Sequence, residues 1–146
     1  MNRKKITGER LFYLYAFPCT EGRHEKGKID AADYEALKCL KLGGQPEREL
    51  LVRSYEDAAK AFADYKKKRK LADDDWTLEV VSDFWHHHHG QEGECRVRLA
   101  VIRVIHKLMV KVECEGKEII AVNMYGLQAH IGETYYIHKN MLIERV

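Results

Sequence analysis

The chain has 146 residues, of which 45% are hydrophobic and 33% charged, with a formal net charge of +2 at pH 7. This length is enough for one domain or two small ones that share a core, and the composition is that of a folded rather than a disordered protein. The small net charge gives no argument for nucleic-acid binding by itself. No apolar run reaches the roughly 20 residues that a transmembrane helix needs, so we expect no membrane association.

The basic start of the chain does not resemble a signal peptide. Glu9 and Arg10 interrupt the segment in which an apolar region would have to follow. The four cysteines, Cys19, Cys39, Cys95 and Cys114, form no C-x-x-C pair. Without a secretion signal we expect reduced thiols and a cytoplasmic protein, with each cysteine acting as a small buried side chain.

The first 90 residues predict about four helices. Apolar spacing indicates a helix over 7–17, which Pro18 ends because proline disfavours helix at the residue before it. A polar loop over 18–29 follows, then a helix from about 30 to 42. A third helix is predicted from Pro46 to about 70, and a fourth begins after residues 72–75.

The pattern changes from helical to strand periodicity at Cys95. The apolar residues Val97, Leu99 and Val101 alternate with Arg96 and Arg98, so they predict a strand with the apolar residues facing the core.

Four more strands are predicted after this one. Residues 108–114 alternate in the same way, Glu115-Gly116 reads as a two-residue hairpin turn, and 119–124 returns. The last strands are predicted at 135–138 and 141–146. Five short strands predict a small closed barrel of the OB or SH3 kind. We therefore predict an α+β protein with a helical region at 1–90 that packs on a small barrel region at 91–146.

The four consecutive histidines at 86–89 are candidate metal ligands. Residues three apart lie on one face of a helix, so His86 and His89 could both turn inward, with Cys95 six residues further on. Such a set would suit a transition metal such as iron, nickel or zinc, although no cofactor is firmly implied. The alternative is a solvated helix end, where the helix dipole favours protonated imidazole.

The barrel region also holds candidate partner-binding residues: His138, Tyr135 and Arg98. His138 reads most simply as a histidine of the core or rim. Aromatic and basic side chains in an OB-type barrel could bind RNA or single-stranded DNA instead, by stacking on bases and meeting phosphates. The side chains available for this are Tyr125, Tyr135, Tyr136, Arg96, Arg98, Arg103, Lys107 and Lys111.

No catalytic motif is present in the sequence. It contains no Ser-His-Asp grouping, no glycine-rich phosphate loop and no carboxylate pair at motif spacing, and Gly43-Gly44 reads as a helix stop. We therefore expect a non-enzymatic protein.

Three elements combine in the last third: Cys95 at the start of a strand, the turn Glu115-Gly116-Lys117, and the phrase at 131–138 followed by a strand at 142–146. This combination resembles the HypC-type hydrogenase-maturation chaperones, whose closing phrase reads V-G-D-Y-V-x-V-H before an A-I-E strand. The resemblance implies a small chaperone that carries an iron–cyanide–carbonyl precursor to a hydrogenase large subunit. Cys95 would then correspond to the family's cysteine.

Two segments of the first half are similar to an uncharacterised bacterial family. Residues 8–18 are similar to its opening G-x-R-L-F-x-x-Y-A-Y-P, and residues 80–85 to its V-V-x-x-Y-W segment. This likeness implies shared architecture only.

Taken together, the sequence predicts a non-enzymatic cytoplasmic accessory protein that is chaperone-like and binds a protein partner. Metalloenzyme maturation of the hydrogenase type is its expected setting. A nucleic-acid-binding small barrel is the alternative.

Overall fold

The computed structural model describes residues 6–90 and 96–146. It divides the chain into two compact units, a helical unit of residues 2–89 and a barrel unit of residues 90–146. The mixed α+β class with a helical first half and a barrel at the end is therefore confirmed. Cys95 lies outside the described residues.

Six α-helices and one 3₁₀ turn make up the described part of the helical unit. They are α1 Gly8–Ala16, the 3₁₀ turn Phe17–Cys19, α2 Thr20–Glu25, α3 Ala31–Cys39, α4 Arg48–Ser54, α5 Glu56–Lys68 and α6 Leu78–His87. None of these helices is long and apolar enough to span a bilayer.

Two helix predictions were wrong, and tertiary contacts explain both. The predicted loop at 18–29 contains α2, and the predicted third helix is divided at Tyr55, whose φ of −119° and ψ of 55° are not helical. Tyr55 is 2% exposed, and its hydroxyl hydrogen-bonds that of Thr20 at 2.7 Å. This bond joins the start of α2 to the break between α4 and α5, a pairing that local propensity does not encode.

Helix α1 is central to the helical unit. The Thr7 hydroxyl accepts a hydrogen bond from the Arg10 N–H at 3.0 Å, which caps the helix. The Arg10 guanidinium donates to the carbonyls of Leu40 and Lys41, so it satisfies groups at the end of α3. Gly8 passes so close to another segment that a Cβ there would lie 1.6 Å from the Trp76 carbonyl oxygen.

Aromatic rings form the core of this unit. The ring of Phe12, which is fully buried, has its centroid 5.6 Å from that of Phe62, 5.0 Å from Trp76 and 5.3 Å from Trp85. Rings at these separations in tilted and edge-on arrangements stabilise one another beyond the area they bury.

The barrel unit has five strands in the order β1-β2-β3-β5-β4, closed by pairing of β4 with β1. Neighbouring strands are antiparallel except β3 and β5, which are parallel and share the single register pair Val122↔Met141. The strands are β1 Arg98–His106, β2 Met109–Cys114, β3 Lys117–Val122, β4 Thr134–His138 and β5 Met141–Arg145.

The inward face of β1 differs by one residue from its prediction. Ala100 and Ile102 belong to the barrel core, whereas Leu99 is 52% exposed and Val101 is half-buried. Successive strand residues point to opposite faces, so a one-residue shift reverses the whole set. Residues 97–102 comprise five apolar residues and Arg98, so alternation alone does not determine which of the apolar residues face inward.

The alternation in β2 and the hairpin after it were predicted as they occur. Val110, Val112 and Cys114 are buried in the barrel core. Glu115 and Gly116 connect β2 to β3 with φ of 52° and 78°. Two successive positive φ values characterise the tight turns that match the twist of a hairpin.

Candidate functional site

His86 makes side-chain contacts within the helical unit. Its Nε2 lies 2.7 Å from the Tyr15 hydroxyl, and its Nδ1 lies 3.3 Å from the Ser82 hydroxyl. Ser82 and His86 are four residues apart in α6, which places them on one face of the helix. A metal ion at His86 would have to displace one of these two contacts.

His89 occupies an aromatic environment. Its ring centroid lies 4.4 Å from that of Trp85 and 5.4 Å from that of Phe84. Burial lowers the pKa of His89 because an apolar setting disfavours the charged imidazolium. His89, one of the four histidines for which a solvated helix end was the alternative, is half-buried.

His88 belongs to a polar network that was not foreseen from the sequence. Arg69 donates a hydrogen bond to His88 Nε2 at 2.6 Å, and Asp83 Oδ2 lies 3.5 Å from the same nitrogen. The Tyr65 hydroxyl donates to Asp83 Oδ2 at 2.5 Å. Burial and this hydrogen bond raise the pKa of Tyr65 to about 12. Tyr65 lies in α5 and Arg69 directly follows that helix, so the network connects the end of α6 to the end of α5.

Only two of the three predicted metal ligands, His86 and His89, lie within the described residues. Across residues 6–90 and 96–146, no group of three or more His, Cys, Asp or Glu side chains is placed to hold a metal ion. His86 contacts Tyr15 and Ser82, and His89 contacts the aromatic ring of Trp85. The third predicted ligand, Cys95, lies outside the described residues.

The three predicted partner-binding residues lie on the paired strands β1 and β4 but differ in exposure. Tyr135 is 2% exposed within the barrel core, so its ring is not available to stack on a nucleic-acid base. His138 is fully buried. Arg98 is half-buried, lies 3.6 Å from Glu115 and donates to Asn140 Oδ1 at 3.2 Å. Of the three, Arg98 alone presents side-chain surface to solvent.

In the described part of the barrel unit, five arginine and lysine side chains lie within 3.6 Å of a carboxylate: Arg96, Arg98, Arg103, Lys111 and Arg145. Arg96 donates to both Glu115 oxygens, at 2.6 and 2.8 Å, and this holds the pKa of the Glu115 carboxyl below its usual value. Similar pairs are Arg103 with Glu113 at 2.5 Å, Lys111 with Glu118 at 3.3 Å and Arg145 with Glu133 at 2.8 Å. A phosphate backbone would have to compete with these acids for each cation.

Apolar side chains cluster on the outside of β1, β2 and β3. In the register of these strands, Val104 lies opposite Lys111, which lies opposite Ile120, and Met109 is on the same face two residues from Lys111. Val104, Met109 and Ile120 are 49%, 47% and 46% exposed. We call these three residues the outer strip.

The sequence contains a signal for part of the outer strip. Ile119 and Ile120 are adjacent in one strand, so one of the two must point outward. Met109 was already on the outward side of the predicted alternation. The bulge in β1 next to Arg103, which turns Val104 onto this face, has no such signal.

No protein-family model matches the chain, and neither a curated protein nor a solved structure is significantly similar to it. The two resemblances drawn from the sequence therefore stay predictions.

Proposed function

We propose that this chain is a non-enzymatic accessory protein that holds a protein partner on the outer strip of its barrel. The observation that carries the proposal is the half exposure of Val104, Met109 and Ile120 on one sheet face. Adjoining exposed apolar side chains are unfavourable in water, and such patches in folded proteins mark interaction surfaces. Methionine is also enriched at protein interfaces, where its flexible side chain adapts to a partner.

The finer assignment is a chaperone-like role in metalloenzyme maturation, in an OB-type barrel. Its support is the resemblance of residues 95–146 to the HypC-type chaperones, together with the strand order β1-β2-β3-β5-β4. Within the described residues, Cys39 and Cys114 form no disulfide bond, which favours a reducing, cytoplasmic setting.

The partner-binding test uses the full chain as bait for hydrogenase-maturation proteins and a hydrogenase large subunit. The test variant carries Val104→Glu and Met109→Glu, which place charge on the outer strip without touching the barrel core. The matched control is Leu42→Glu, because Leu42 is a 76% exposed apolar residue of the helical unit. We expect capture by the wild type and the control and at least a tenfold loss in the test variant, which corresponds to about 1.4 kcal/mol. Equal capture by all three, or none by the wild type, would contradict the proposal.

The metal-carrying version of this role needs its own test. The metal content of the purified full chain is measured before and after Cys95→Ala, with Cys39→Ala as the control because Cys39 is an exposed thiol of the helical unit. We expect a stoichiometric transition metal that is lost only with Cys95. Metal-free wild-type protein that still captures a partner would separate partner binding from metal carriage.

Two exposed lysines favour nucleic-acid binding as a second candidate function. Lys107 lies in the turn between β1 and β2, and Lys139 in the turn between β4 and β5. OB-type barrels use the corresponding loops to bind oligonucleotides. Binding of a single-stranded oligonucleotide should then weaken with salt, and replacing both lysines by glutamine should reduce the logarithmic salt slope by about 1.4. No binding at low salt removes this candidate.

A further inference from the structure

Strand β3 has one paired edge and one edge that is almost entirely open. All six residues Lys117–Val122 are in register with β2. On the other side, the single register pair with a described strand is Val122↔Met141. Within the described residues, 117–121 therefore have no strand neighbour on the β5 side. Glu118 and Ile120 are also exposed to solvent.

The backbone of β3 directs hydrogen-bonding groups toward this open edge. The Val122 N–H donates to the Asn140 carbonyl on the β5 side at 2.8 Å, and the Asn123 N–H donates to the Leu108 carbonyl on the β2 side at 2.7 Å. In an extended strand the N–H and C=O of alternate residues point the same way. The N–H and C=O groups of Ile120 and Glu118 consequently point away from β2.

We propose that this edge binds an extended segment of the protein partner by β-strand addition. The inference rests on the proposed function, since it specifies how the partner is held. An added strand can form main-chain hydrogen bonds with the N–H and C=O groups of Glu118 and Ile120. A helix cannot do so, because its own backbone groups are already hydrogen-bonded within the helix. It also extends the sheet that carries the outer strip, because Ile120 belongs to both the strip and the edge.

The residues of the edge define the chemistry of that segment. A residue of the added strand placed opposite Ile120 would pack on an apolar side chain. The residue two positions further along the added strand points to the same face and would lie opposite Glu118. Glu118 itself lies opposite Glu113 in the register, and each carboxylate has one cation beside it, Arg103 at Glu113 and Lys111 at Glu118. A lysine or arginine opposite Glu118 adds a second favourable partner for this exposed carboxylate, whereas an acidic residue there would place like charges opposite each other, which is unfavourable. The segment therefore carries an apolar and a basic residue at positions i and i+2, in either order.

Amide hydrogen exchange of the full chain, followed residue by residue by NMR, tests the open edge. In the free protein we expect slow exchange at Ile119 and Ala121, whose N–H groups face β2, and fast exchange at Glu118 and Ile120. Adding the peptide Thr-Val-Thr-Lys-Thr or Thr-Lys-Thr-Val-Thr should slow exchange at Glu118 and Ile120. The matched peptides with glutamate in place of lysine should bind about threefold more weakly, as expected for like charges at opposite positions.

Three results would overturn the proposal. The first is slow exchange at Glu118 and Ile120 in the free protein, which would mean that the edge is already covered. The second is no change with either lysine peptide. The third is protection that rises with protein concentration in the absence of peptide, since it would assign the edge to a second copy of this chain.

A proline variant separates this proposal from the proposed function. Glu118→Pro removes an N–H that faces the open edge and leaves the hydrogen bonds to β2 in place, a position where strands tolerate proline. Ile120→Lys is the second variant, and unchanged slow exchange at Ala121 shows that each is folded. If the wild type captures a partner and both variants capture it equally, the edge proposal fails and the proposed function stands. If the wild type captures nothing, the proposed function fails, and the peptide experiment still decides about the edge.

Discussion

The two units use the same kinds of side chain in different ways. The helical unit encloses its large rings, with Phe12 fully buried and Trp85 1% exposed, and even Arg10 and Lys66 are 7% and 3% exposed. Arg10 binds carbonyls at the end of α3, and the Lys66 ammonium lies 4.2 Å from the Phe62 ring centroid. In the barrel unit, by contrast, the outer strip is about half exposed. The helical unit thus buries large aromatic and charged side chains, whereas the barrel leaves the three apolar side chains of the outer strip about half exposed.

The largest effect should come from truncating the aromatic core. Phe12→Ala removes a ring that contacts rings of α5 and α6, and we expect it to destabilise the protein by about 4 kcal/mol in urea unfolding. Leu42→Ala, at a 76% exposed site of the same unit, should change stability by less than about 0.5 kcal/mol. Similar losses in both variants would mean that the unit does not depend on this core.

A single methyl group should nearly match that effect. Gly8→Ala would place its Cβ against the backbone of Trp76, which cannot move as a flexible side chain can, and we expect a loss of about 3 kcal/mol. In Gly22→Ala the new Cβ meets no atom within 4 Å, so the better helix propensity of alanine should stabilise the protein by up to about 1 kcal/mol. If Gly8→Ala left the free energy of unfolding unchanged, the backbones at Gly8 and Trp76 would have to be less closely packed than described.

The Tyr65 network makes the helical unit sensitive to high pH. The pKa of Tyr65 is about 12 in the folded protein, above the ordinary value of 10.0. A raised folded-state pKa stabilises the protein below the unfolded-state pKa, and this contribution is lost as the pH rises from about 10 through about 12. Urea midpoints measured at about pH 9 and about pH 11 should fall less in Tyr65→Phe than in the wild type. An equal fall would assign the pH dependence to other groups.

The smallest effect is expected from the ion pairs on the barrel. Arg103 and Glu113 are each about half exposed, so water and salt weaken their attraction. Arg103→Gln should cost less than about 1 kcal/mol, and added salt should reduce the difference from the wild type. Urea unfolding at two ionic strengths measures both. If Arg103→Gln lowered the free energy of unfolding as much as Phe12→Ala, the surface ion pairs of the barrel would matter as much as the buried core of the helical unit, and the contrast between the units would fail.

Local patterns in the sequence predicted most of the fold. The Glu115-Gly116 hairpin and the inward face of β2 follow from turn chemistry and alternation. The helix break at Tyr55 and the register of β1 depend on contacts between distant residues, so periodicity did not reveal them. The strand order β1-β2-β3-β5-β4 likewise depends on which distant strands pair, and the sequence pattern does not contain that information.

The candidate site was less predictable for a similar reason. The histidine cluster stood out by composition, but its partners Tyr15, Arg69 and Tyr65 come from other helices. Tyr135 looked accessible because a strand exposes every second residue, yet the barrel encloses that face. The open edge of β3 could not be predicted, because the sequence does not show that β5 pairs with β3 at Val122 alone.

The single register pair between β3 and β5 also affects how this protein behaves at high concentration. The stretch Ile119-Ile120-Ala121-Val122 is apolar, and an open strand edge with such a sequence is a template for aggregation. Lys117 and Glu118 stand directly before it, where charged residues act as gatekeepers. Replacing both by threonine should therefore shorten the lag time of fibril formation, even if the folded state remains equally stable. An edge of β3 that is open to a partner would then depend on the charges of Lys117 and Glu118 to prevent pairing between copies of the chain.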